Sequence, residues 1–159
     1  FASALLERRL VQKLLGTPSM TLFDTSVGPR WFRWLYPSFY EPLPKETRNA
    51  ILKRAAERGV DAPGEALFWI AFDVAKANTA AMARMSSFLN QYGMCRNLSL
   101  TLFVCAAMLA GAAYHLNRSD DYWWAAGALL LGCGMFLRYL KFYRHYSVEV
   151  FTTYAHARP

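Results

Sequence analysis

The feature that most constrains this chain is a long stretch without a charged side chain, residues 98–116. As an α-helix it would extend about 28 Å at a rise of about 1.5 Å per residue, close to the roughly 30 Å hydrocarbon core of a bilayer. A soluble protein would have to bury such a helix on every side. The stretch therefore predicts a membrane-spanning helix.

A second apolar run follows a connection of only five residues, 117–121. It opens with an aromatic cluster that includes Trp123 and Trp124, and such rings are typical of the membrane–water interface. The run can span a bilayer if its helix continues over residues 122–142 and the Lys141 side chain extends toward the headgroups. We therefore predict a second spanning helix.

The charges around these two runs predict the orientation of the hairpin. The short connection makes the helices antiparallel neighbours, and it carries one arginine against two aspartates. Basic residues flank the opposite ends: Arg96, Arg138, Lys141 and Arg144. Because basic flanks stay on the cytoplasmic side, we expect a multi-pass protein of the cell inner membrane with both termini in the cytoplasm.

The overall composition agrees with a membrane protein. Charged residues make up 18% of the chain, below the roughly 25% of an average soluble domain. The net charge of +7 suits anionic lipid as readily as nucleic acid. In the segment 30–36, Trp31, Arg33 and Trp34 place rings next to arginines, which favours anchoring at the membrane interface. Core packing is an alternative, and base stacking on single-stranded nucleic acid is a less favoured one.

The remaining sequence predicts a cytoplasmic layer of amphipathic helices. The hydrophobic periodicity indicates helices over 2–15, 44–58 and 66–91, the last without interruption. Prolines and glycines predict a folded loop with one short helix over 17–44. The fold class is therefore an all-α integral membrane protein, with a two-helix transmembrane hairpin and a cytoplasmic amphipathic helical layer.

This interpretation divides the chain into three regions. Residues 1–96 form a cytoplasmic or interfacial helical region, 97–143 the transmembrane hairpin, and 144–159 a cytoplasmic helical tail. Small residues recur four positions apart in the hairpin, a spacing that lets helices approach closely in lipid: Ala106/Ala110, Ala107/Gly111 and Ala128/Gly132. We expect the hairpin to pack through them with itself or with further copies, and a pore would require several subunits.

The densest polar segment follows the second span. Arg138 and His145 are seven positions apart, two helical turns, so their side chains can share a face. Glu149, one turn further, is placed to orient the imidazole. Together with the two spans, this segment resembles the small membrane accessory proteins of RNA-targeting type VI-B CRISPR loci. The resemblance covers residues 98–155 and implies a HEPN-like ribonuclease motif formed by Arg138 and His145, together with assembly into an oligomeric membrane pore.

The same side chains have a simpler interpretation from the residues alone. Arg138, Lys141 and Arg144 can serve as anchors to lipid headgroups, and His145 can lie on a helix surface. We favour this interpretation because no nucleotide-binding loop, nucleophile motif or metal-ligand spacing accompanies the segment. The sequence therefore favours a non-enzymatic protein.

The cysteines predict neither a disulfide framework nor a metal site. Cys95, Cys105 and Cys133 are odd in number and widely spaced. We interpret all three as small buried apolar residues and expect no metal and no cofactor.

Three classes of function follow from these observations. The first is a self-assembling bacterial membrane protein that acts on the membrane as a pore-forming or permeabilising defence effector. The second is a non-catalytic membrane anchor or a small subunit of a larger membrane complex, and the third is a membrane-tethered HEPN-like ribonuclease. The expected partners are the lipid bilayer, further copies of the chain and a protein of a larger complex, rather than nucleic acid.

Overall fold

The computed structural model describes residues 11–24, 28–60 and 64–157, and every regular element in these ranges is a helix. In chain order the elements are α1 (Gln12–Leu15), α2 (Pro18–Thr21), α3 (Arg30–Leu35), a 3-10 helix (Pro37–Phe39), α4 (Lys45–Ala56), α5 (Glu65–Lys76), α6 (Thr79–Leu116) and α7 (Asp120–His156). The all-helical class is as predicted. Most of the helix expected over 2–15 lies outside the described residues.

The chain forms two compact units. Asn90–Phe142 make up the first, called here the hairpin unit, and the described residues before and after it make up the second, called the terminal unit. Helices α6 and α7 each contribute residues to both units. The C-terminal tail, which the sequence suggested as a separate region, thus belongs to the same compact unit as the N-terminal helices.

The terminal unit has a conventional hydrophobic core. Helices α4, α5, the start of α6 and the end of α7 supply most of its buried side chains, among them Ile51, Leu67, Met85 and Phe151. The Phe151 ring meets Phe23 edge-on, with centroids 5.0 Å apart. Burial of this apolar surface is the main force that folds the unit, at about 25 cal/mol per Å² removed from water.

Helix α4 ends at Ala56, two residues before the predicted end, and the turn after it is closed at a glycine. Gly59 adopts a left-handed conformation with φ of 74°. Its amide donates to the Ala56 carbonyl at 3.0 Å, and the Val60 amide donates to the Ala55 carbonyl at 3.0 Å. This pair of bonds is a Schellman motif, which satisfies carbonyls that the helix end would leave open.

The prediction of one uninterrupted helix over 66–91 is wrong. The structure ends α5 at Lys76 and begins α6 at Thr79. The Asn78 side-chain oxygen accepts a hydrogen bond from the Ala81 amide at 3.1 Å, which is the contact of a helix N-cap. The second half of the predicted helix instead continues directly into the first apolar stretch, giving a helix of 38 residues.

The loop over 17–44 is more structured than predicted. Its described residues, 17–24 and 28–44, contain two short α-helices and a 3-10 helix where one helix was expected. The Leu43 amide donates to the Leu22 carbonyl at 3.1 Å, which ties the end of the loop to its beginning. Both leucines are buried in the core of the terminal unit.

The hairpin unit pairs α6 with α7 along a narrow buried seam. The buried positions are Cys95, Ser99, Ala106 and Ala113 on α6, and Ala125, Gly132, Tyr139 and Leu140 on α7. Most of them recur every seven residues, the spacing of helices that pack nearly parallel to each other over a long distance. The connection turns at Asn117, which has a positive φ of 55°. The Arg118 amide donates to the Ala113 carbonyl at 3.1 Å, which closes the end of α6.

Candidate functional site

The hairpin unit exposes apolar side chains over much of its surface. Both α6 and α7 are long and apolar enough to cross a membrane, and only 17% and 22% of their most apolar 18-residue stretches are buried. The large exposed side chains include Val104, Met108, Leu129, Leu130 and Leu131. Contiguous apolar surface of this kind is unusual on a soluble monomer and is typical of a surface that meets lipid or another protein.

Two hydroxyl groups in the apolar part of α6 form hydrogen bonds inside the unit. The Ser99 hydroxyl donates to the Gly132 carbonyl at 3.0 Å, across the pair of helices. The Thr101 hydroxyl donates to the Asn97 carbonyl of its own helix at 3.0 Å. Such internal bonds remove the cost of placing a hydroxyl in an apolar medium.

Close approach of the two helices depends on a glycine. A Cβ atom at Gly132 would lie 2.9 Å from a ring carbon of Phe103 and 3.3 Å from the Leu102 Cβ, so even alanine requires the ring to move. Gly134, two residues further along α7, has open space around it. The seam therefore requires glycine at position 132, whereas position 134 has room for a larger residue.

The predicted small-residue pairs divide between the seam and the surface. Ala106 and Gly132 lie in the buried seam, Ala107 is exposed, and Ala110, Gly111 and Ala128 are partly buried. The seam follows a spacing of seven residues and not the spacing of four used to select these pairs. Its other small members, Ala113 and Ala125, were missed for that reason.

Two exposed tryptophans mark the start of α7. Trp123 and Trp124 are 80% and 71% exposed, and they follow the first-turn acids Asp120 and Asp121. The acids stabilise the positive end of the helix dipole. Because both tryptophan side chains are largely exposed, their rings lie on the outside of the hairpin unit, next to the polar connection.

Two further predicted tryptophans lie on α3 in the terminal unit. Trp31 and Trp34 are 66% and 84% exposed, whereas the Phe32 side chain between them is buried. Burial of Tyr40 raises the pKa of its hydroxyl, and the positive charge of the partly buried Arg33 acts in the opposite direction. Of the three predicted interface residues in this segment, the two tryptophans are the most exposed.

The basic residues after the second apolar stretch differ in their surroundings. Lys141 is exposed. Arg144 is partly buried and donates from Nη2 to the Glu41 carbonyl at 2.6 Å. Burial lowers the pKa of the Arg144 guanidinium, against the opposing effects of Glu41 and Tyr36. Arg144 therefore contributes to packing within the terminal unit.

The predicted HEPN-like pair is divided between the two units. Arg138 is exposed in the hairpin unit, with its guanidinium 5.9 Å from the Phe142 ring centroid. His145 belongs to the terminal unit, and its ring stacks on Phe88 with centroids 5.8 Å apart. Glu149 accepts hydrogen bonds from the Arg84 side chain, the shortest at 2.7 Å.

Sequence reasoning missed the long-range polar contacts of the terminal unit, of which two involve α7 and a distant arginine. The Arg84–Glu149 ion pair borders a polar surface cavity of about 300 Å³. Arg54 donates to the carbonyls of Tyr154 and Ala157 at the end of α7, where a cation also stabilises the negative end of the helix dipole. Because these partners are 65 to 103 positions apart, no local pattern reveals them.

The cysteines are all free in the structure, but their predicted burial is only partly correct. Cys95 is buried, whereas Cys105 and Cys133 are exposed on the hairpin unit. The prediction failed for these two because it assumed that an apolar stretch is buried in protein. Within the described ranges, no group of three or more histidine, cysteine or acidic side chains is arranged to hold a metal ion.

Comparison with known proteins adds no relative. No family model matches the chain, and neither a curated protein nor a solved structure matches it.

Proposed function

We propose that this protein is a membrane anchor whose hairpin unit crosses the bilayer twice and whose helical terminal unit lies at the cytoplasmic surface. The observation that carries the proposal is the exposure of apolar side chains on two helices of spanning length. In a bilayer those side chains would contact lipid tails, which removes the cost of exposing them to water.

The distribution of polar groups favours an anchor over a pore wall. Water-filled pores are lined by polar side chains or backbone carbonyls. In the hairpin unit the Ser99 and Thr101 hydroxyls are used in internal hydrogen bonds, and the large exposed side chains include many leucine, valine, methionine and aromatic residues. Such side chains suit lipid better than a water path.

The anchor proposal can be tested with the chain's own cysteines. Cys105 and Cys133 are exposed in the structure, so a water-soluble charged maleimide would label both if the hairpin unit were surrounded by water. In reconstituted vesicles we expect peptide mass spectrometry to show both unlabelled until the protein is denatured. The variant Ser38→Cys, at an exposed position of the terminal unit, should be labelled readily and serves as the control.

Topology and copy number complete the test. Ser119→Cys lies in the exposed connection, which the anchor places on the opposite side of the bilayer from Ser38→Cys. A membrane-impermeant reagent should therefore label Ser119→Cys in those molecules whose Ser38→Cys is protected. Labelling of Cys105 and Cys133 as fast as Ser38→Cys would refute the anchor. A closed ring of copies in nanodiscs that conducts ions would favour the pore instead.

A further inference from the structure

Helix α3 presents a basic aromatic face on the outside of the terminal unit. At about 100° per residue, Arg30, Trp34, Trp31 and Leu35 follow one another around a continuous arc of the helix. All four are exposed, and Trp34, at 84%, is the most exposed large hydrophobic side chain of the described residues. This arc is called here the α3 face.

The opposite side of α3 is fixed to the protein by an aromatic cluster. The buried Phe32 ring meets the Tyr36 and Tyr40 rings edge-on, at centroid distances of 6.4 and 6.2 Å. The Tyr40 hydroxyl in turn donates to the Leu15 carbonyl at 3.1 Å. The packing of this aromatic cluster thus keeps the two tryptophans on the outside, although burying them would be favourable by about 25 cal/mol per Å².

The residues just before α3 also pack tightly against the aromatic cluster. Gly28 has a positive φ of 88°, and a Cβ atom there would lie 2.5 Å from the Tyr40 hydroxyl. Pro29 then takes the N-cap position in an extended conformation. This tight approach places the helix in one orientation on the aromatic cluster.

We propose that the α3 face is a second membrane contact, which binds the headgroup layer of an anionic bilayer through Trp31, Trp34 and Arg30. Tryptophan prefers this layer because its ring is largely apolar and its indole N–H needs a polar partner. An exposed arginine finds its complement in anionic lipid, and α3 contains no acidic side chain. The proposal goes beyond the hairpin anchor, and the two can fail separately.

Fluorescence of the full chain in nanodiscs tests the proposal. In the variant Trp69→Phe/Trp123→Phe/Trp124→Phe, the emission comes from Trp31 and Trp34 alone. In discs containing anionic phosphatidylglycerol, we expect lipids brominated near the headgroup to quench this emission strongly. A matched chain that retains only Trp69, which is 54% exposed on α5, should be quenched much less.

The charge requirement is tested by Arg30→Gln in the same background. Loss of one cation near an anionic surface should weaken the contact about fivefold, and high salt should have a similar effect. The variant Lys45→Gln, which removes an exposed cation from the start of α4, is the control and should change the quenching little.

Each other outcome has a definite meaning. Quenching of a chain that retains only Trp123, without quenching of Trp31 and Trp34, would overturn the α3 proposal and leave the anchor intact. Equal quenching in neutral and anionic discs would overturn the charge-dependent part. If single-stranded RNA changes the Trp31 and Trp34 emission and brominated lipid does not, the face binds nucleic acid and the proposal is wrong.

Discussion

The two compact units place similar apolar side chains in opposite environments. In the terminal unit, Ile51 and Leu67 are completely buried, and in the hairpin unit, Met108 and Leu130 are 69% and 73% exposed. The terminal unit is organised as a protein that folds in water, with apolar groups inside. The hairpin unit has the reverse arrangement, with large apolar groups outside, and a bilayer is the medium in which such an arrangement costs nothing.

The difference also explains what holds each unit together. The core of the terminal unit is filled by large aliphatic and aromatic side chains. The seam of the hairpin unit is built largely from small residues such as Ala106 and Gly132. Under the anchor proposal this seam suits the bilayer, because lipid provides no hydrophobic drive for helices to associate and close van der Waals packing has to hold them together.

The largest expected effect is a loss of core packing in the terminal unit. Leu67→Ala should destabilise that unit by about 2–5 kcal/mol, because it leaves a cavity in a fully buried site. Hydrogen exchange of the α4 and α5 amides measures this effect. Leu130→Ala is the matched control in the hairpin unit and should change the exchange of its own helix little. A similar loss of protection from both changes would break the comparison between the units.

The next largest effect is a charge on the outside of the hairpin. Leu130→Arg should oppose insertion by about 2.5–3.5 kcal/mol if this side chain faces the centre of a bilayer. Leu14→Arg, at a leucine of the terminal unit that is 64% exposed, should have no comparable effect. The fraction of protein that resists alkaline extraction from membranes measures both. Equal extraction of the two variants would count against an inserted hairpin.

A smaller effect is expected from a single methyl group in the seam. Gly132→Ala should cost about 1–3 kcal/mol, because the added Cβ meets the Phe103 ring. Gly134→Ala, which adds the same group in open space, is the control and should be neutral or slightly stabilising. Thermal unfolding of the helices in detergent, followed by circular dichroism, compares them. Equal melting temperatures would show that the seam does not depend on Gly132.

The smallest effect is the loss of a helix cap. Asn78→Ala should destabilise the start of α6 by about 1 kcal/mol, since the Ala81 amide loses its side-chain acceptor. Asn49→Ala makes the same change within α4, where alanine is the better helix former. Exchange rates of the amides around residues 79–82 report the difference. If protection there is unchanged, the break between α5 and α6 has another cause.

Helix ends have a local signal in the sequence where one residue decides them. The end of α4 could be predicted from Gly59, because a left-handed residue is needed there and glycine adopts it without strain. The Asn78 cap carries an equally local signal, since asparagine is a preferred N-cap. It was overlooked because the apolar periodicity continues across it. The sequence could not select the seam residues, because several small residues lie in each helix and only packing selects among them.

The sequence by itself determined the helical class, the two long apolar helices and the residues that end α4, because composition, periodicity and capping act within a few turns of chain. Tertiary structure alone decided that α7 returns Val150, Phe151 and Tyr154 to the core of the terminal unit. It also decided that Arg84 pairs with Glu149 and that Trp34 points outward while Phe32 is buried. These choices depend on which distant surfaces pack together, and no local pattern contains that information.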